Sequence, residues 1–288
     1  MKIALTGASG LVGGACMSFL REQGHEVIVL GRKAVGDGQF IPFELGKVQV
    51  ASEALRGIEA LVHCAYDMGV RTRGEVERVN VNGSIELLKA AREAGIQKIV
   101  FISSVSAFDG CESNYGKGKI AVEKWAQRET GIACVRPGLV YGDPKKGIFS
   151  ALTNVVRKLP VLPVFDGGHQ KMILIHKDDL AQVIEKVLER SPNSFPEPFL
   201  VCYPKTVEFR AILEKLAKRA GKNPRFLSVP SGLAIAGLVV LETLGVPIRF
   251  RKDNLLGLVC PTPKFDFSTV KALGVPLRDF FESDELLG

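Results

Sequence analysis

Cysteine and histidine are present in the 288-residue chain but never gather: there are six and four, with no CxxC pair and no Cys/His cluster. Cys16, Cys64, Cys111, Cys134, Cys202 and Cys260 are scattered, mostly in apolar runs, where a free thiol behaves as a small hydrophobe. That distribution argues against a zinc site and a disulfide framework. Aromatic residues are few, at 7%, and no basic–aromatic module occurs, so a nucleic-acid partner is not expected. Long hydrophobic runs are also lacking. The most apolar stretch, Gly232–Leu241, stops after ten residues at Glu242, whereas a spanning helix needs about 20. Peripheral contact of a helix over 232–244 with a membrane surface stays open, although such helices more often belong to a core. A strand-like run starts at once at Lys2, from which a chain without a leader, located in the cytoplasm, is expected. Repeats of 20–50 residues are absent as well.

What is present is the composition of an ordinary soluble enzyme, 46% hydrophobic and 24% charged, with 30 glycines and 15 prolines. The net charge of +7 is uneven. Met1–Asp143 holds 17 Lys/Arg against 16 Asp/Glu, and Pro144–Gly288 holds 21 against 15. A basic excess permits an anionic partner and proves none.

The first two-thirds alternate between short apolar runs and longer helical patterns. Ile3–Leu5, Val27–Leu30, Ala60–Cys64, Ile99–Ile102 and Ala133–Arg136 are nearly continuous in apolar residues, as strands buried on both faces must be. Helical patterns cover Leu11–Gln23, Val76–Glu93 and Tyr115–Glu129. This alternation predicts an α/β fold, a Rossmann-like doubly wound parallel sheet. Past Pro137 the rhythm loosens. A helix over Gly147–Lys158, a proline-rich link at Leu159–Pro163 and a strand at Met172–Ile175 are expected. Helices at Lys177–Arg190, Glu208–Ala220 and Gly232–Leu244 follow. The expected organisation is a cofactor domain over 1–143, with 172–190 returning to it, and a smaller, discontinuous substrate domain over 144–288.

Gly7, Gly10 and Gly13 form a GxxGxxG turn between the first strand and the first helix. Small residues there let backbone approach a pyrophosphate, and the helix N-terminus offers free N–H groups. Ser9, Leu11 and Val12 complete the candidate turn. At the end of the second strand, a carboxylate would favour NAD and a cation NADP. Leu30 and Gly31 lead into Arg32 and Lys33, with no acid before Asp37, so NADP is favoured, NAD staying open. The plainer alternative is that both are solvated loop charges.

Ser103 and Ser104 follow the run Ile99–Ile102, and Tyr115 and Lys119 stand at i and i+4 on one helix face. The lysine charge would lower the phenol's pKa from near 10 and make it usable as an acid/base, with a serine hydroxyl bonding the substrate oxygen. YxxxK alone is weak; after a serine pair and a GxxGxxG opening it is strong.

With these residues the chain resembles the extended short-chain dehydrogenase/reductase family, also described as NAD(P)-dependent epimerase/dehydratases, over nearly its whole length. Thr6–Gly13 is similar to the family's cofactor turn, and Glu44 and Leu45 sit where an acidic–apolar pair meets adenine. His63, Cys64, Ala65 and then Tyr66 resemble its fourth-strand ending. Asn80–Ser84 is similar to NVxGT, with Asn80 as the structural asparagine. Arg136–Gly142 resembles RPxxVYG, which brings Pro137 and Val140 into the cofactor set. His176–Ala181 is similar to VHVDDLA, and Phe265–Gly274 resembles the closing segment, a short helix ending in LG. The resemblance implies Ser104, Tyr115 and Lys119 as the catalytic trio, with Tyr115 and Lys119 also touching cofactor, and pairing of two copies through 76–93 and 115–129 as a homodimer.

Two departures carry information. Ten residues separate Ser104 from Tyr115, a short loop that would leave the pocket more open. Val105 and Ser106 stand where dehydratases carry an Asp-Glu pair, which disfavours dehydration. Gly116 and Gly118 are poor helix formers and leave two readings, close approach to ligand or a loose first turn.

Seven Lys/Arg against two Glu in Lys205–Arg225, and Ile248–Lys252 beyond them, suit a diphosphate or a plain solvated face. Val229–Glu242 is more like members acting on apolar substrates. The expected activity is NADP(H)-dependent oxidoreduction of a ketone or secondary alcohol, with the small-molecule substrate over the nicotinamide. Two alternatives stand beside it: a nucleotide-sugar epimerase holding its NAD(P) tightly, and a non-catalytic NADP-binding subunit, against which the intact trio counts.

Overall fold

The computed structural model describes residues 1–36, 38–70, 72–190, 192–236, 256 and 265–282. Cys260, Ile248–Lys252 and the part of Gly232–Leu244 beyond Ala236 lie outside these residues; 231–236 is helical.

The first six strands are parallel. They are β1 (Lys2–Thr6), β2 (Glu26–Gly31), β3 (Phe40–Pro42), β4 (Ala60–His63), β5 (Lys98–Ile102) and β6 (Ile132–Pro137). All but β3 lie on the five apolar runs or overlap them. Alternate residues of each strand enter different cores, which is why the runs show no polar face. Ile3, Leu5, Val27, Val29, Val62, Val100 and Val135 pack on one side. Ala4, Ile28, Leu30, Leu61, Ile99, Phe101 and Cys134 pack on the other. The first core is covered by α1 (Leu11–Glu22) and the second by α3 (Gly83–Glu93) and α4 (Asn114–Ala126). Ahead of α3 the chain forms the short turn α2 (Arg73–Glu75), capped by a Thr72–Glu75 capping box, and a π-helical stretch at Val76–Asn82.

The chain then continues through β7 (Leu139–Tyr141), α5 (Gly147–Lys158), β8 (Val161–Phe165), β9 (Lys171–His176) and α6 (Lys177–Glu189). It ends with β10 (Phe199–Val201), β11 (Thr206–Glu208), α7 (Phe209–Arg219), β12 (Arg225–Val229) and α8 (Ser268–Leu273). The expected proline-rich link is therefore half strand. Pro163 is tolerated because, among the described residues, β8 pairs only with β12, leaving an edge.

Among the described residues the large sheet has seven strands in the order β10-β6-β5-β4-β1-β2-β3, all parallel. This is a Rossmann-like doubly wound sheet. Strand order reverses between β1 and β4, which opens a crevice at their carboxyl ends. After Asp143 the chain comes back to this sheet twice, with α6 packed on α1 and β10 paired to β6. A separate core of Tyr141, Phe149, Val156, Leu162, Leu174, Ile212, Leu216 and Phe280 holds β7, β8 and β9 to α5 and α7.

Candidate active site

The glycine turn lies at the strand-order reversal, and its three glycines answer to three contacts. Gly7 has φ +71, and a Cβ on it would stand 3.0 Å from the backbone of Cys64 and Ala65. A Cβ on Gly13 would fall 2.2 Å from the Gly7 carbonyl oxygen, so helix α1 can rise straight out of the turn only with glycine there. Gly10, whose N–H donates to the Gly7 oxygen at 2.8 Å, is the N-cap of α1 and supplies no side-chain cap. The first helical N–H groups, from Leu11, Val12 and Gly13, are thus left for a ligand. A dinucleotide's pyrophosphate fits that donor set.

β4 is fixed to this turn by a buried polar chain. Thr6 Oγ1 accepts N–H bonds from Cys64 and Ala65, both at 3.0 Å, so its own hydroxyl proton goes to His63 Nδ1 at 2.7 Å. His63 Nε2 then donates to Ser84 Oγ at 2.9 Å. Burial, helped by the Lys119 charge, drives the His63 pKa down to about 3 and keeps the ring neutral. Within Asn80–Ser84, Asn80, Gly83 and Ser84 each have a separate contact. Asn80 accepts from the Asp67 N–H at 2.7 Å and donates to the Asp67 carbonyl at 3.1 Å. A Cβ on Gly83 would meet the Gly46 nitrogen at 2.6 Å. Asn80 therefore pins the loop after β4, with both ends of its amide engaged by protein, so it sets the position of Cys64–Asp67.

At the end of β2, Arg32 and Lys33 are exposed. Glu44 bonds Lys47 at 2.9 Å, while Leu45 is buried in the second core. Pro137 closes β6, its carbonyl receiving the Val105 N–H at 3.1 Å, and Val140 packs against the first core.

Ser104 ends the β5 turn, and Tyr115 and Lys119 rise on α4, so all three meet. The Ser104 hydroxyl hydrogen-bonds the Tyr115 phenol and accepts from the Ser106 N–H at 3.1 Å. Ser103 Oγ is buried without a hydrogen-bond partner among the described residues. Lys119 is 3% exposed; its ammonium donates to the Ile102 carbonyl at 2.7 Å and lies 4.9 Å from the Tyr66 ring centroid and 6.0 Å from that of Tyr115. Tyr66 packs edge-on to Tyr115 with centroids 4.8 Å apart. The expectation that Lys119 lowers the Tyr115 pKa is not met here. Burial raises it, the Ser104 bond only partly opposing, because the lysine is turned onto a backbone carbonyl instead of the phenol. Burial also lowers Lys119 itself to about 8.

Helix α4 starts at a proper cap, Ser113 Oγ accepting from the Gly116 N–H at 3.1 Å. The cap leaves no loose first turn, and its glycines answer to close protein contacts. A Cβ on Gly116 would lie 2.3 Å from the Ser106 oxygen and one on Gly118 2.8 Å from Val76 Cγ1, so both admit close approach of protein. One helical turn past Lys119, Glu123 grips Arg136 bidentately at 2.8 and 2.6 Å, fixing α4 to β6. This pair went unread although 115, 119 and 123 share one face.

The VHVDDLA-like segment holds the closing segment in place. Asp179, 1% exposed, accepts the Arg278 N–H at 2.7 Å, and His176 contacts the Arg278 guanidinium. Another contact had no sequence signal: Lys146, from the loop before α5, donates to the Ser9 carbonyl at 3.0 Å.

Comparison with known proteins places this geometry. The model of the NAD dependent epimerase/dehydratase family matches residues 3–202. UDP-glucose 4-epimerase of Vibrio cholerae is 26% identical over 259 residues, covering 80% of this chain and 79% of that protein. Ceramide reductase of Caulobacter vibrioides is 26% identical over 247 residues, covering 83% and 77%. Three mycobacterial uncharacterized proteins match at 28% identity over 194 residues, and the chain spans about a fifth of their length, 20%. The solved structure of MoeE5 with UDP-glucose and NAD superposes with a TM-score of 0.67 at 21% identity, covering 80% of this chain and 85% of that one.

Proposed function

The chain belongs to the NAD dependent epimerase/dehydratase family, and from that premise we propose that it is an NADP(H)-dependent oxidoreductase acting on a ketone or secondary alcohol. The observation that carries this reading is the end of β2. Arg32 and Lys33 are exposed there, and among the described residues neither pairs with a carboxylate. Two free cations suit the 2′-phosphate of NADP and offer the ribose hydroxyls of NAD no acceptor. The N-terminus of α1 would hold the pyrophosphate, and Ala65, Tyr66 and Pro137 are further residues that would touch the cofactor.

The nicotinamide, when bound, supplies or accepts the hydride. Tyr115 donates its phenolic proton to the substrate carbonyl oxygen in reduction and recovers it in oxidation. Ser104 bonds that same oxygen, exchanging its present bond to the phenol for one bridging to substrate. Lys119 is mostly charged at neutrality, given its pKa of about 8, and offsets the developing phenolate. The raised pKa of Tyr115 keeps the acid form available at neutral pH. Substrate sits between the strand ends and the segment after Asp143. Similarity to a ceramide reductase supports an apolar substrate.

A second reading, nucleotide-sugar epimerisation, is favoured by similarity to a UDP-glucose 4-epimerase and by exposed Lys218, Arg219, Lys222 and Arg225. The test is fluorescence titration with NADPH and NADH, followed by assay of apolar ketones and nucleotide sugars. NADPH should bind more tightly. Arg32→Ala should weaken it about tenfold or more while leaving NADH nearly unchanged, the worth of one charge-assisted bond. Equal losses for both would overturn the cofactor assignment, and epimerisation without net NADPH consumption would favour the second reading.

A further inference from the structure

Lys146 stands at an electrostatically awkward place. It is the N-cap of α5, and its ammonium reaches across to the first turn of α1. Besides the bond to the Ser9 carbonyl, Nζ lies 3.8 Å from where a Cβ on Gly14 would be. A cation near two helix N-termini feels the positive end of both dipoles. Among the described residues no carboxylate pairs with it; Asp143 holds the backbone N–H of Lys145 at 2.8 Å and of Lys146 at 3.0 Å instead.

The placement is built and not a chance of side-chain reach. Gly147 has φ +78, and a Cβ there would strike Leu11 Cδ2 at 2.7 Å. The start of α5 is therefore docked on the residue that opens α1. Two helix N-termini, three free N–H groups of α1 and an ammonium held, among the described residues, only by a carbonyl make a site that an anion resolves.

We propose that Lys146 is a binding residue for the dinucleotide's pyrophosphate, reaching from the segment after Asp143 over the glycine turn. The inference rests on the cofactor reading above and adds a cation outside the GxxGxxG turn. On binding, the ammonium keeps Ser9 and gives a second N–H to a phosphate oxygen. The α5 segment thereby closes over the cofactor, so cofactor and substrate sides are joined through one side chain.

The experiment titrates wild type, Lys146→Ala and Lys146→Arg with NADPH, NADH, adenosine 2′-monophosphate and UDP. Lys146→Ala should weaken both dinucleotides alike, about tenfold for one charge-assisted hydrogen bond. Adenosine 2′-monophosphate, which lacks the pyrophosphate, should bind as before, and Lys146→Arg should stay close to wild type. Unchanged affinity for both dinucleotides overturns the proposal, as does an equal loss for adenosine 2′-monophosphate. Loss of UDP binding alone overturns it too and assigns the lysine to a substrate diphosphate. If wild type binds neither dinucleotide, the cofactor reading has failed, and that failure shows in the unmutated protein.

Discussion

Acid should loosen this fold through one imidazole. His63 is 0% exposed, lies between Thr6 and Ser84, and has its pKa driven from 6.5 to about 3. In the unfolded chain the ring takes up a proton below about 6.5. In the folded chain it stays neutral until about 3, so between those values the unfolded state binds the extra proton. Stability is then complete above 6.5 and is lost as pH falls toward about 3. At about 1.4 kcal/mol for each tenfold in proton activity, the loss from this group is about 2 kcal/mol by pH 5. The measurement is urea unfolding at pH 7.5, 6 and 5 for wild type and His63→Gln, with the histidine resonances followed by NMR. Wild type should lose about 2 kcal/mol more than the variant over that range. A His63 resonance titrating above pH 5, or parallel losses in the two proteins, would refute the reasoning.

Two further outcomes are expected. Tyr115→Phe removes the transferable proton and should cut turnover by about 10²–10⁴-fold while NADPH binding stays within about threefold; retained activity in a stopped-flow assay would remove the phenol from the chemistry. Gly13→Ala drives a methyl to 2.2 Å from the Gly7 oxygen, so the turn or α1 must move. A cost of about 2–4 kcal/mol and loss of NADPH binding should follow, and a thermal melt matching wild type would contradict the contact.

The strands that the apolar runs announced are those buried on both sides of the large sheet, from Ile3–Leu5 to Ala133–Arg136, and α5 runs over Gly147–Lys158 as its pattern says. The GxxGxxG turn and the Tyr115–Lys119 spacing were equally plain, because backbone geometry and helical periodicity are local. β3, β7, β10 and β11, three residues each, carry no such signal. Thr206–Glu208 is a strand because Lys171–Ile173 pairs with it. β8 is one despite Pro163, because among the described residues it is an edge strand, paired with β12 alone.

Sequence by itself therefore determined the sheet's buried strands, the phosphate turn and the identity of the Ser104, Tyr115 and Lys119 cluster, since each follows from residues close along the chain. Only the tertiary structure decided how charge is distributed in that cluster. Lys119 turns to the Ile102 carbonyl, burial raises Tyr115, and His63 is held neutral. Only the fold, too, brought Lys146 onto Ser9. Desolvation and contacts between distant segments depend on what packs around a group, and no spacing of residues along a chain encodes that.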